Sequence, residues 1–165
     1  MTSLSDGQVS DGLRLALAEA RKAQRKHTYP IGAVITTLDG DVIAKAHNRV
    51  KSHHDPTAHA EVEVIRKAGA FLQKNKRQGV LYTTMEPCLM CMGAIIMADI
   101  SVVVWGVSDT YAGAVDFVMN TYQKENLVLP QLVREPLPEL IGPICELMKA
   151  WDVSRGYSTE IWNRP

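Results

Sequence analysis

Three side chains able to hold a soft metal ion stand in two short runs: His59 in TAHAEVEVIRKAG, and Cys88 with Cys91 in EPCLMCMGA. Residues three apart share a helix face, so both sulfurs of a Cys-x-x-Cys can reach one ion. A helix N-terminus and a bound cation both favour the thiolate, the form that ligates zinc. Two sulfurs and one imidazole favour zinc over magnesium or calcium. Three protein ligands leave one tetrahedral position open, which is what separates a catalytic zinc from a structural one. Glu61, two residues past His59, is a carboxylate that could take a proton from a water at that position and hand it to a leaving group. Periodicity alone does not bring His59 and Glu61 together, because residues two apart on an ideal helix point in nearly opposite directions. Taken singly, a Cys-x-x-Cys is more often a redox pair or half of a structural zinc knuckle. The knuckle would need a fourth ligand, and Cys145 is the obvious candidate.

The elements that must position these residues are legible from patterning. At 165 residues, the chain is long enough to form a single domain with its own core. It is 46% hydrophobic and 22% charged, with a mean hydropathy of −0.07. Eighteen Lys and Arg balance eighteen Asp and Glu, which weighs against nucleic-acid affinity driven by bulk charge without excluding a local basic patch. No apolar run is long enough to span a bilayer, the N-terminus does not read as a secretory signal, and three cysteines suit a reducing cytoplasm. Residues 1–11 read as a loose arm, followed by a helix with Leu13, Ala16, Leu17 and Ala20 on one face. Ile31 to Leu38 and Val42 to His47 read as strands joined at Asp39-Gly40. A helix over Ala58 to Ala70, a strand over Val80 to Met85, a helix opened by Pro87 and a buried strand over Ile100 to Trp105 follow. A fifth strand within Leu127 to Val133 and a closing helix over Pro143 to Trp151 complete a three-layer α/β/α sandwich on a mixed five-stranded sheet.

His-x-Glu followed by Pro-Cys-x-x-Cys is far more specific than either part, and it is the signature of zinc-dependent nucleobase deaminases. The chain resembles the cytidine and deoxycytidylate deaminase superfamily, in the branch that holds guanine deaminase, fungal-type cytosine deaminase and the tRNA adenosine deaminases. The resemblance runs from about Leu13 to Asp116 and includes Pro30 to Val34, Asn48, Asp55 to Glu61, Leu81 to Thr84 and Glu86 to Cys91. It implies that His59, Cys88 and Cys91 bind one zinc per chain between two helix N-termini. It implies that Glu61 shuttles protons, that Asn48 hydrogen-bonds the substrate ring, and that the backbone near Ala60 helps hold the base. The reaction it implies adds water at the amino-bearing ring carbon and releases ammonia.

For the substrate, the sequence points to a free nucleobase of guanine or cytosine type, or a similar small heteroaromatic amine. The balanced charge argues for this, as does the tail after Trp151, which lacks the Arg-rich closing helix typical of the tRNA enzymes. Basic residues that could still grip RNA lie only around Arg21 to Lys26 and Lys74 to Arg77. Asp116 sits where guanine deaminase places a carboxylate against the purine edge, and the 152–165 tail with Trp162 could close a pocket of its own or of a partner, since relatives are commonly homodimers. The alternatives are a tRNA-specific adenosine deaminase and, from another class, a structural zinc module without catalysis.

Overall fold

The computed structural model describes residues 3–122 and 127–162, so residues 1–2 of the arm, Asn126 beside the fifth strand and residues 163–165 of the tail lie outside the described residues. Five strands form one mixed sheet in the order β2-β1-β3-β4-β5. They are β1 (Gly32–Thr37), β2 (Val42–His47), β3 (Gly79–Met85), β4 (Val102–Val107) and β5 (Gln131–Arg134). β1 runs antiparallel to β2 and β3, while β3–β4 and β4–β5 are parallel. The sandwich predicted from the alternating pattern is the one found.

Strand alternation assigns the two faces. Val34, Val80, Val104 and Leu13 share a core with Ile144 on the side of α1 (Asp6–Arg25) and α6 (Pro138–Arg155). Ile35, Leu81, Val103 and Trp105 share the opposite core with Val64 and Ile95 on the side of α3 (Ala60–Lys74), α4 (Leu89–Met97) and α5 (Val115–Thr121). β3 and β4 are buried at every position, as their uninterrupted apolar runs require. A short helix, α2 (Val50–His53), lies between β2 and α3. Among the described residues, no helix is long and apolar enough to cross a membrane.

Within the loose arm expected over residues 1–11, residues 6–11 instead open α1. Ser5 Oγ accepts from the Gln8 amide at 3.2 Å, and Gln8 Oε1 accepts from the Ser5 amide at 2.8 Å, a reciprocal cap that starts the helix at Asp6. Gln8 Nε2 also donates to Leu38 O at 2.8 Å, tying the helix to the β1–β2 hairpin. In that hairpin Gly40 has φ 98°, which its Asp-Gly pairing anticipates. α6 starts earlier than expected, with Pro138 in its first turn and Pro143 inside it. An interior proline costs roughly 3 kcal/mol or more, and burial of Leu140, Ile144 and Met148 in the sheet-side core outweighs it. β5 is shorter than expected because Pro130 has no N–H to offer, so the ladder begins at Gln131, whose amide donates to Ser101 O at 2.8 Å.

Candidate active site

α3 and α4 pack side by side with their N-termini at the end of the sheet where β3 stops. His59 is the N-cap of α3 and Cys88 the N-cap of α4, both in extended backbone, with φ/ψ −69°/153° and −73°/173°. His59 therefore stands outside the helix, and the chain turns between it and Glu61, so their two-residue spacing is not a helical one. This is why the two share a site that periodicity could not derive. α4 begins at Leu89 and not at Pro87, which leaves Cys88 free to reach back and Cys91 in the first turn to reach forward.

His59 Nδ1 lies 3.7 Å from Cys88 Sγ and 3.5 Å from Cys91 Sγ. A tetrahedral zinc at about 2.3 Å from sulfur and about 2.0–2.1 Å from nitrogen holds nitrogen and sulfur about 3.6 Å apart, so the cluster has zinc dimensions. Among the described residues it is the one such group of His, Cys, Asp and Glu, with all ligand atoms within 4.8 Å of one another. Cys145 is buried on α6 in the core across the sheet, which removes the candidate fourth ligand, and among the described residues no other His, Cys, Asp or Glu joins the three.

The Cys88 thiol is held down to about 4, because its hydrogen bond with Cys91, helped by His59, outweighs the effect of burial. Cys91 moves the other way, raised by Cys88 and by burial. His59 is raised through its contact with Cys88. Burial pushes the Glu61 carboxyl above its ordinary pKa.

Two supporting residues escaped the sequence reading. Thr83 on β3, wholly buried, donates from Oγ1 to Glu61 Oε1 at 3.3 Å and orients that carboxyl. Glu86, just before Pro87, accepts from the amides of Asp109 at 3.1 Å and Val115 at 3.2 Å, so one carboxylate gathers the loop after β4 against the metal loop. Gly113 makes that approach possible: a Cβ there would stand 2.6 Å from Glu86 Cδ and 2.4 Å from Asp109 O. Both lie in runs that carry the family resemblance, Thr83 within Leu81 to Thr84 and Glu86 within Glu86 to Cys91, but neither run marks their roles.

Asn48 is buried directly after β2. Its Oδ1 accepts from Thr28 Oγ1 at 2.8 Å and from the Val50 amide at 3.0 Å. A backbone N–H can only donate, so the amide orientation is fixed and Nδ2 is the group left to offer a ligand. The next residue, Arg49, donates its amide to Ala58 O at 2.9 Å, which joins this strand end to the loop carrying His59. Ala60 is fully buried at the first position of α3, where the backbone N–H has no partner within the helix.

The remaining two candidates stand elsewhere. Asp116 lies outside the metal-ligand group, exposed on α5, where the Arg134 guanidinium grips both its oxygens and holds its carboxyl low. Trp162, expected to close a pocket, packs into the α1–α6 core across the sheet from α3 and α4, with Nε1 donating to Asp152 Oδ2 at 2.6 Å. An aromatic of that size with a satisfied N–H is held by its own burial, so Trp162 is a core residue here, while residues 153–158 of the tail are exposed.

Comparison with known proteins follows the same lines. The profile of the cytidine and deoxycytidylate deaminase zinc-binding region matches residues 7–107. The tRNA-specific adenosine deaminase of Agrobacterium fabrum (strain C58) is 47% identical over 105 residues, 63% of this chain and 68% of that protein. A solved structure from studies of A-to-I editing by tRNA:A34 deaminases at the wobble position of transfer RNA superposes with a TM-score of 0.72 at 35% identity, covering 84% of this chain and 99% of its own. The guanine deaminase of Bacillus subtilis superposes with a TM-score of 0.57 at 30% identity, covering 94% and 96%. Zinc is the cofactor and hydrolytic deamination the class of reaction. With more than half its length matched and the zinc ligands at metal spacing, the chain belongs to the cytidine and deoxycytidylate deaminase zinc-binding family.

Proposed function

We propose that this chain hydrolyses the 6-amino group of an adenosine in tRNA, producing inosine and ammonia. The observation that carries the reading is the 47% identity to a tRNA-specific adenosine deaminase. The expectation of a free guanine, cytosine or other small amine as substrate and partner is overturned by that likeness and by the tRNA:A34 structure, which superposes better and at higher identity than the guanine deaminase. Whole-chain charge is not local charge. A net charge of zero constrains the average surface, whereas RNA binding needs only enough Lys and Arg on one side.

His59, Cys88 and Cys91 hold the metal in this reading. Bound zinc supplies an acidified water and a Lewis acid at the open position. Glu61, with its pKa raised by burial, takes the water proton as oxygen adds to C6 of the base and passes it to N1. A second transfer through the same carboxyl protonates the departing amine, so water is consumed and ammonia leaves. Thr83 keeps one Glu61 oxygen turned toward β3. Asn48 Nδ2 donates to an acceptor of the nucleoside, and the buried α3 start at Ala60 excludes solvent beside the ring.

The test is product analysis after incubating the zinc-loaded protein with an anticodon stem-loop, guanine, cytosine and adenosine in parallel. Inosine in the stem-loop alone is the expected result. Deamination of free guanine or cytosine with none in RNA would overturn the reading.

A further inference from the structure

The zero net charge conceals a cationic groove along the open edge of the sheet. β2 pairs only with β1, and beside it lies a cavity of about 750 Å³. Its polar lining is Glu19, Lys22 and Lys26 from the α1 end, Lys45 and His47 from β2, and Lys67 from α3. Glu19, the one carboxylate, is buried and already engaged by Lys22 Nζ at 2.5 Å and His47 Nδ1 at 3.1 Å. Lys67 Nζ is held at the strand edge by a 2.8 Å bond to Lys45 O. Among the described residues, neither Lys26, Lys45 nor Lys67 forms a salt bridge, and His47 Nε2 is buried with no hydrogen-bond partner. Burial holds His47 below its ordinary pKa against the opposing hydrogen bond with Glu19, and the charges of Lys26 and Lys67 add to the lowering.

The groove adjoins the catalytic end. His47 immediately precedes Asn48, and Lys45 is three residues back, about 10 Å along an extended chain. Lys22 and Lys26 end the helix that leads to Thr28, the residue that donates to Asn48. Lysines on an edge strand can serve merely to prevent edge-to-edge pairing, but here three of the four come from flanking helices and converge on a concavity.

We propose that this groove binds the phosphodiester backbone of the RNA substrate beside the adenosine that reaches Asn48. The assignment rests on the tRNA reading above, and the experiment separates the two. Zinc-loaded Glu61→Gln protein, which binds RNA without turning it over, is titrated with a fluorescent anticodon stem-loop between about 50 and about 200 mM salt. The triple substitution Lys26→Gln, Lys45→Gln and Lys67→Gln should weaken binding about 10- to 100-fold at the lower salt. It should also flatten the log–log salt slope by about 2, since each single-strand phosphate contact contributes about 0.7. The corresponding Lys→Arg triple should keep wild-type affinity and slope, and Lys74→Gln with Lys76→Gln at the far end of α3 should change neither. An unchanged slope in the Gln triple overturns the groove, as does an equal loss in the Arg triple or a Gln triple that dimerises with RNA affinity intact. In parallel, the wild-type chain is assayed for inosine. No inosine despite lysine-dependent binding overturns the proposed reaction and leaves the groove standing; no RNA binding at all overturns both.

Discussion

β3 and β4 are buried at every residue, whereas α5 and β5, which follow them, leave Asp116, Phe117 and Arg134 at the surface. The first pair carries the machinery: β3 feeds Thr83 to Glu61 and delivers the chain to Cys88, and β4 feeds the loop that Glu86 gathers. The second pair carries surface ion pairs, such as Asp116 with Arg134, which also stacks 5.3 Å over Trp105. Glu61, Thr83 and Cys91 are held by burial, with His59 and Cys88 partly open beside them, and such fixing suits a site where a misplacement of an ångström costs rate. Exposed elements are under no such constraint, and a carboxylate found on one is weak evidence for a role in the site.

The largest effect that would break this contrast is at Glu61. Glu61→Gln should lower turnover at least about 10²-fold while zinc content and circular dichroism stay as in the wild type. An active variant would detach the buried region from the chemistry.

A smaller effect is expected at Asn48. Asn48→Ala removes the acceptor for Thr28 Oγ1 and the Val50 amide, leaving buried donors unmet at a cost of about 1–3 kcal/mol in denaturant unfolding. Substrate use should suffer and zinc should remain. Asn48→Asp keeps the acceptor and loses the Nδ2 donor, so restored stability without restored activity would pin the role on Nδ2.

Glu19 sharpens the contrast through pH. Burial alone would raise its carboxyl, but hydrogen bonds from Lys22 and His47 outweigh that and leave it below the ordinary value of 4.5. A folded pKa below the unfolded one contributes stability above pH 4.5 that fades as the pH falls through the folded value. His47, held below 6.5 chiefly by burial, adds a loss in the same direction as the pH drops under 6.5. Glu19→Gln should therefore melt lower than wild type near pH 7, with the gap closing toward pH 3. A gap that widens on acidification would show the pair to be wrongly assigned.

The smallest effect is at Asp116. Asp116→Asn should leave both the melting temperature and deamination of the stem-loop unchanged, because an exposed ion pair adds little. A loss of turnover would bring α5 into the site after all.

Legibility divides along the same line. The metal ligands could be read because three soft donors at fixed spacing admit few other uses, and the sheet could be read because buried strands announce themselves in apolar runs. The start of α1 was missed although Ser5 and Gln8 spell a reciprocal cap, since the polar residues around it outweighed the signal of Val9. The meeting of His59 and Glu61 needed the extended backbone of an N-cap, which no residue type encodes. Tail aromatics suggested a lid because size and polarity do not say which face of a sheet a Trp covers. The substrate was misread because a sum of charges carries no positions, and the lysines of α1, β2 and α3 meet only in the fold.

The Glu86 clamp makes the stretch between its two anchors dispensable as a continuous covalent connection. Asp109 and Val115 are each held by one oxygen of the same carboxylate, and Ala114 donates to Pro87 O at 3.1 Å, while Tyr111 between them is 89% exposed. A protease nick at Tyr111 would leave both new ends tethered beside the metal loop.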